Sequence, residues 1–149
     1  MKAEEYLEII PVLTRRVKMN RDGLDRLRES LKITGISYEN IGAAPGTRKT
    51  DAMGELVGKV VDFETELKAD EYRLANMVIN ATTAINKLES EAQREVLTRW
   101  YLRSEGLQEI MDETAYSRSR IYALKKEGLE NLPDFESQDK IGQNKTEWD

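Results

Sequence analysis

The sequence predicts an all-α fold in which a long antiparallel helical hairpin, coiled-coil-like in its spacing, precedes a compact head of three short helices. Three observations predict it. Two apolar seams recur at steps of three and four across the first 88 residues, a glycine-rich segment separates them, and from Ser90 onward the same spacing returns in three short bursts.

The first seam passes through Tyr6, Ile10, Leu13, Val17, Asn20, Leu24, Leu27 and Leu31, which is a heptad pattern. Pro11 lies inside it and pushes Ile10 away from helical angles, so either a kink there or a helix starting near Pro11 is expected. The second seam passes through Met53, Leu56, Val60, Phe63, Leu67, Asp70, Leu74, Met77, Ala81, Ala84 and Leu88. Each seam carries one polar residue. Asn20 and Asp70 either mark register, because a buried polar group penalises misaligned pairing, or rotate outward; Glu71 beside Asp70 favours rotation at that position.

Residues 34–51, TGISYENIGAAPGTRKTD, hold three glycines, one proline and no helical period, and read as a long loop that permits antiparallel pairing. Charge supports the pairing. Residues 14–32 contain seven Lys or Arg against three acids, and residues 51–74 contain seven acids against three bases. The basic stretch Arg15, Arg16, Lys18 and Arg21 could attract phosphates but reads better as a solvated or acid-paired helix face. The loop residues Arg48 and Lys49 allow a minor-groove arm as the sharper of two readings.

The head begins at Ser90, which with Gln93 forms a capping box in which each side chain satisfies the other residue's backbone donor. Val96, Leu97, Trp100 and Tyr101 then give one apolar stripe and leave Arg94, Arg99 and Arg103 outward. Gly106 interrupts the pattern, and Leu107, Ile110 and Met111 make a helix of two turns ending near Glu113 and Thr114. Ser117 caps the last helix, whose buried side is assigned to Ile121, Leu124, Leu129 and Leu132, with Pro133 stopping it. Its outward positions are cationic: from Ala115 to Lys126 there are four Lys or Arg and no carboxylate, in a chain of net charge −5.

Phosphates attract such a surface regardless of base sequence, and an arginine at the front of a helix can also bond the major-groove edge of guanine in two places. The candidate DNA-contacting residues are therefore Tyr116, Ser117, Arg118, Ser119, Arg120, Tyr122, Lys125 and Lys126. Arg118 and Arg120 are the expected base readers, and Lys125 and Lys126 the expected backbone contacts. Two short helices, a turn and a basic second helix are the outline of a helix-turn-helix.

The stretch YL followed by LQEIMDETAYSRSRIYALKKEGL is similar to the helix-turn-helix of sigma-factor region 4, with Ala115 at the turn place where glycine is common. Through MKAEEYL, TDAMGELVGKVVDFETEL and region 91–132, with YL, EI, YS, IY and AL in order, the chain resembles small phage and prophage proteins of Gram-positive bacteria. These are the late-gene and autolysin transcriptional regulators, and the likeness covers roughly residues 2–132. The resemblance implies a sequence-specific transcription regulator rather than a complete sigma factor.

The expected organisation is thus an assembly hairpin over 1–89, a helix-turn-helix over 90–132 and a flexible acidic tail over 133–149, where five acids face two lysines. A thin two-helix core suggests a homodimer, which would present two reading heads to a palindromic site. Expected partners are double-stranded DNA, a second copy of the chain and, through the resemblance, RNA polymerase; no membrane and no small-molecule substrate are expected.

With no cysteine and no histidine, thiolate nucleophiles, the usual zinc ligand sets and imidazole catalysis are excluded. Asp62 and Glu66 share a helix face that could hold magnesium but reads as solvated, and GAAPGTRKT lacks the phosphate-cradling spacing. A non-enzyme without cofactors is expected. No apolar run spans a bilayer and no leader pattern precedes the first helix, so a cytoplasmic protein is expected. The other reading is a coiled-coil adaptor or phage DNA-packaging component that acts through protein contacts.

Overall fold

The computed structural model of the chain describes residues 1–33 and 48–136. It is all-helical over these residues. Helix α1 spans Ala3–Ile33, α2 Arg48–Asn86, α3 Glu91–Leu97, α4 Leu107–Thr114 and α5 Arg118–Asn131, and a π-helical turn, Thr98–Leu102, extends α3. Of the expected loop, residues 34–47 lie outside the described residues, whereas 48–51 already belong to α2. Arg48 and Lys49 therefore begin a helix rather than a loop arm.

By their internal contacts the described residues divide into two compact units, one within residues 13–74 and one that joins residues 1–12 to residues 75–136. The expected boundary at Ser90 falls inside the second of these, so the head is larger than its three short helices.

In the hairpin unit, the buried stripe is Leu13, Val17, Leu24 and Leu31 on α1 against Val60 and Leu67 on α2. Cross-helix ion pairs follow the expected charge pattern. Arg16 reaches Asp70 at 3.1 Å, Arg21 binds Glu71, and Arg28 reaches Glu64 at 2.8 Å, so the earlier part of α1 meets the later part of α2, as in an antiparallel pair. These pairs are all part-exposed and each contributes no more than about 1 kcal/mol; they specify orientation more than stability. The hydrogen bond from Arg28 holds the Glu64 carboxyl below its ordinary 4.5, so that contribution is present above pH 4.5 and is lost as pH falls through the lowered value. Asp70 has rotated to the seam's edge, where it accepts from Arg16, and Asn20 is likewise half-buried rather than enclosed. Arg16 and Arg21 are acid-paired, as the charge pattern suggested.

The helix α1 begins at Ala3, not near Pro11. Proline inside a helix costs about 3 kcal/mol through its missing N–H and its clash with the preceding turn. Tyr6, Leu7 and Ile10 ahead of it are each fully buried, and at about 1.5–3 kcal/mol per side chain their burial outweighs that cost.

The head unit's core collects Tyr6, Leu7 and Ile10 from α1, Met77, Ala81 and Ile85 from α2, and Val96, Leu97, Tyr101, Ile110 and Ile121 from the short elements. Beyond α5, Leu132 is extended as expected before Pro133, and the chain then returns to the start of α1. The Phe135 N–H donates to the Met1 carbonyl at 2.8 Å, the Met1 ammonium donates to the Phe135 carbonyl at 2.9 Å, and Phe135 stacks on Tyr6 at 4.2 Å. The first described residues of the expected flexible tail are thus docked, and the remainder, 137–149, lies outside the described residues. No helix among the described residues is long and apolar enough to cross a membrane.

Candidate nucleic-acid interface

The α3 start matches the sequence reading in part. Ser90 accepts the Gln93 N–H at 3.2 Å, but the reciprocal half of the box is not made. The buried Gln93 side chain instead accepts from Asn131 Nδ2 at 3.2 Å, tying α3 to the end of α5. The expected regular helix through Tyr101 also changes register. At Thr98 the hydrogen bonds lengthen to the π pattern, with the Arg103 N–H donating to the Thr98 carbonyl, and Ser104 closes the segment at φ 52. Trp100 packs on the cluster of Val96, Ile110, Ile121 and Leu124, while Tyr101 is enclosed beside α1.

The Tyr101 hydroxyl is buried with no hydrogen-bond partner among the described residues. Burial, and then the Glu8 and Glu4 carboxylates, push its ionisation far above the ordinary 10.0. Tyr6 shifts upward as well, chiefly by burial, although the bond donated by Asn80 opposes this. For a group whose folded value is raised, the stability is complete below the unfolded value and lost above it, so the head should lose stability as pH rises past 10. Tyr101→Phe is expected to raise neutral-pH stability by about 1 kcal/mol, by removing a desolvated hydroxyl, and to flatten the alkaline decline in melting temperature. A decline equally steep in the variant would contradict the assignment.

Between α4 and α5 lies a three-residue turn, Ala115 to Ser117. Ala115 adopts the left-handed conformation at φ 61, ψ 13 and donates its N–H to the Met111 carbonyl at 2.9 Å. Thr114 secures the turn, since its hydroxyl donates to the Ile110 carbonyl and accepts the Tyr116 N–H. A Cβ in this region costs about 1–2 kcal/mol, against roughly 0.5–1 for the extra chain entropy of glycine. Ala115→Gly is therefore expected to stabilise the head by about 0.5–1 kcal/mol, read as a higher urea midpoint with an unchanged slope.

Ser117 caps α5 by accepting the Arg120 N–H at 3.2 Å. The buried stripe of α5 is Ile121, Leu124 and Gly128, not Leu129, which is only half-buried. With that stripe inward, Ser117, Arg118, Ser119, Arg120, Tyr122 and Lys126 are all exposed on α5 and its cap. The other two candidates differ. Tyr116 is half-buried against the head core, with the Arg120 guanidinium 5.3 Å from its ring centre, and Lys125 is half-buried with its ammonium 4.2 Å from the ring centre of Trp100. Lys125 is thus engaged within the head rather than extended toward a phosphate.

From Ser117 to Lys126 the exposed face holds no carboxylate, and Glu127 and Glu130 follow it on the same helix. The side chains of that face are cations, hydroxyls and an aromatic ring, and the positive end of the α5 dipole lies among them. Along the side of α5, a groove of about 620 Å³ runs beside the start of α1. Lys2, Lys125 and Lys126 on its walls are balanced by Glu4, Glu130 and Asp134, so it does not select an anion. Asp62 and Glu66 are solvent-exposed, and among the described residues no three carboxylates gather into a metal-holding cluster. Trp100 packs beneath this face and Gly128 lets α5 approach α3; apolar spacing marks Trp100 for packing alone, and glycine carries no hydropathy signal. Compared with models of protein families, with curated proteins and with solved structures, the chain matches none.

Proposed function

We propose that the chain is a sequence-specific DNA-binding transcription regulator of the phage type, acting in the cytoplasm, that reads the major groove with the first turns of α5. The observation that carries this reading is the exposed set Ser117, Arg118, Ser119, Arg120, Tyr122 and Lys126, free of carboxylates, on a helix whose opposite side is anchored in a core. Neutralising phosphates requires such cations, and reading bases requires arginines at a helix front that can enter the groove. Arg118 and Arg120 are the base readers, and Ser117, Ser119 and Lys126 hold backbone.

A homodimer fits the proposal, since two heads on a two-fold axis address half-sites one helical turn or a multiple apart. The hairpin unit offers apolar surface for such assembly, with Met19 73% exposed and Leu56 and Val61 also open to solvent. The same surface favours the second reading, an adaptor that binds a partner protein. Selection from a random DNA pool with the purified chain, at about 150 mM salt, separates the two. A palindromic enriched motif supports the dimeric reader, and absence of enrichment sinks it in favour of the adaptor.

A further inference from the structure

We propose that Trp100 is a specificity-positioning residue, which touches no DNA but holds the Arg118 guanidinium, through Tyr122, where it reads a base. The inference rests on the DNA-reading role of α5. Trp100, on the π turn, meets Tyr122, on α5, edge to face with ring centres 6.0 Å apart and planes 61° apart. The Arg118 Cζ lies 5.8 Å from the centre of the Tyr122 ring, and Lys125 Nζ lies 4.2 Å from that of Trp100. Two rings thus form a row with a cation at each end.

Each contact in the row is attractive. Aromatic rings have positive edges and negative faces, so an edge-to-face pair and a cation over a face both lower the energy. The Trp100 end is fixed because its ring packs on the head core. The Arg118 end is exposed, and an unrestrained arginine there would have to be ordered on binding, at a cost in affinity. Guanine recognition uses the planar guanidinium fork in one orientation, so restraining Arg118 favours base reading more than phosphate attraction. Lys125 serves the row by lying over Trp100, which leaves Lys126 as the phosphate contact of the pair. Trp100 lies within the π turn, Thr98–Leu102.

The test uses the full chain and the site enriched by selection. Arg118→Ala should weaken binding at least about tenfold. Trp100→Phe, which keeps an apolar ring in the core, should weaken it about three- to fivefold. Combined with Arg118→Ala, Trp100→Phe should add nothing further, because it acts through the missing guanidinium. Lys125→Met approaches the row from the other end and should show the same non-additivity. Neither variant should change the slope of log affinity against log salt, whereas Lys126→Gln should reduce it by about one. Losses that multiply in the double variants, or a changed slope in Trp100→Phe or Lys125→Met, overturn the positioning role alone. Failure of the wild-type chain to enrich any sequence overturns both this role and the DNA-reading proposal.

Discussion

Gly128→Val is expected to destabilise the head by about 3 kcal/mol, because α5 crosses α3 at this residue with no room for a side chain. A Cβ there would stand 2.8 Å from Leu97 Cδ1, 3.3 Å from Leu97 Cγ and 3.4 Å from Gln93 Cβ. The Leu97 tip could ordinarily swing away, but Leu97 is fully enclosed, so its movement displaces other core side chains. Gly128→Ala should be milder, within about 1 kcal/mol of wild type, since the overlap is one methyl group and alanine gains about 1 kcal/mol of helix propensity. In a Leu97→Ala background the same methyl should become stabilising, because it fills space rather than contesting it. Urea unfolding of the four proteins measures this as a coupling energy, expected to be about 1 kcal/mol or more. Independent, additive effects would show that α3 and α5 do not approach so closely.

The double variant Arg118→Ala, Arg120→Ala is expected to lose about a hundredfold or more in affinity for a selected site, since each bidentate base contact is worth about 1–3 kcal/mol. Its fold should be unchanged, because both side chains are exposed and their partners, Tyr122 and Tyr116, are ring faces that water can cover. Unaltered circular dichroism together with lost binding is the expected pair of results. Arg16→Ala is the matching control: Arg16 is equally cationic but is engaged with Asp70, so affinity should stay within about twofold. Equal losses from Arg16→Ala and the α5 variants would mean that net charge, not a reading face, drives binding. Intact binding by the α5 variants would remove α5 from the interface.

The long helices were legible in the sequence because each buries a stripe that repeats locally. The ion pairs were legible as a charge asymmetry, though their individual partners were not. The start of α5 was legible for a related reason, as Ser117 caps its own third following residue and no distant group is needed. Of the two readings at Pro11, a helix starting there fails because a local helix penalty is outweighed by burial that Tyr6, Leu7 and Ile10 gain from other elements. Gln93 misled in the same way: the capping partner was three residues off, but Asn131, 38 residues away, made the competing bond. Of the eight candidate contacts, six are exposed on the cationic face of α5 and its cap, and the two that are not, Tyr116 and Lys125, are held by rings and core groups that only folding brings near.

What the sequence by itself determined is therefore the periodic part of this protein: the all-helical class, the two seams, the helix caps and the cationic face of α5. Each depends on residues within about one or two helical turns, where spacing alone dictates which side chains share a face. The tertiary structure alone decided the rest. The π turn at Trp100, the side-chain-free crossing at Gly128, the stacking of Phe135 on Tyr6 and the row from Lys125 to Arg118 depend on how elements pack. Close packing selects those contacts by volume and approach, quantities that no local spacing in the chain encodes.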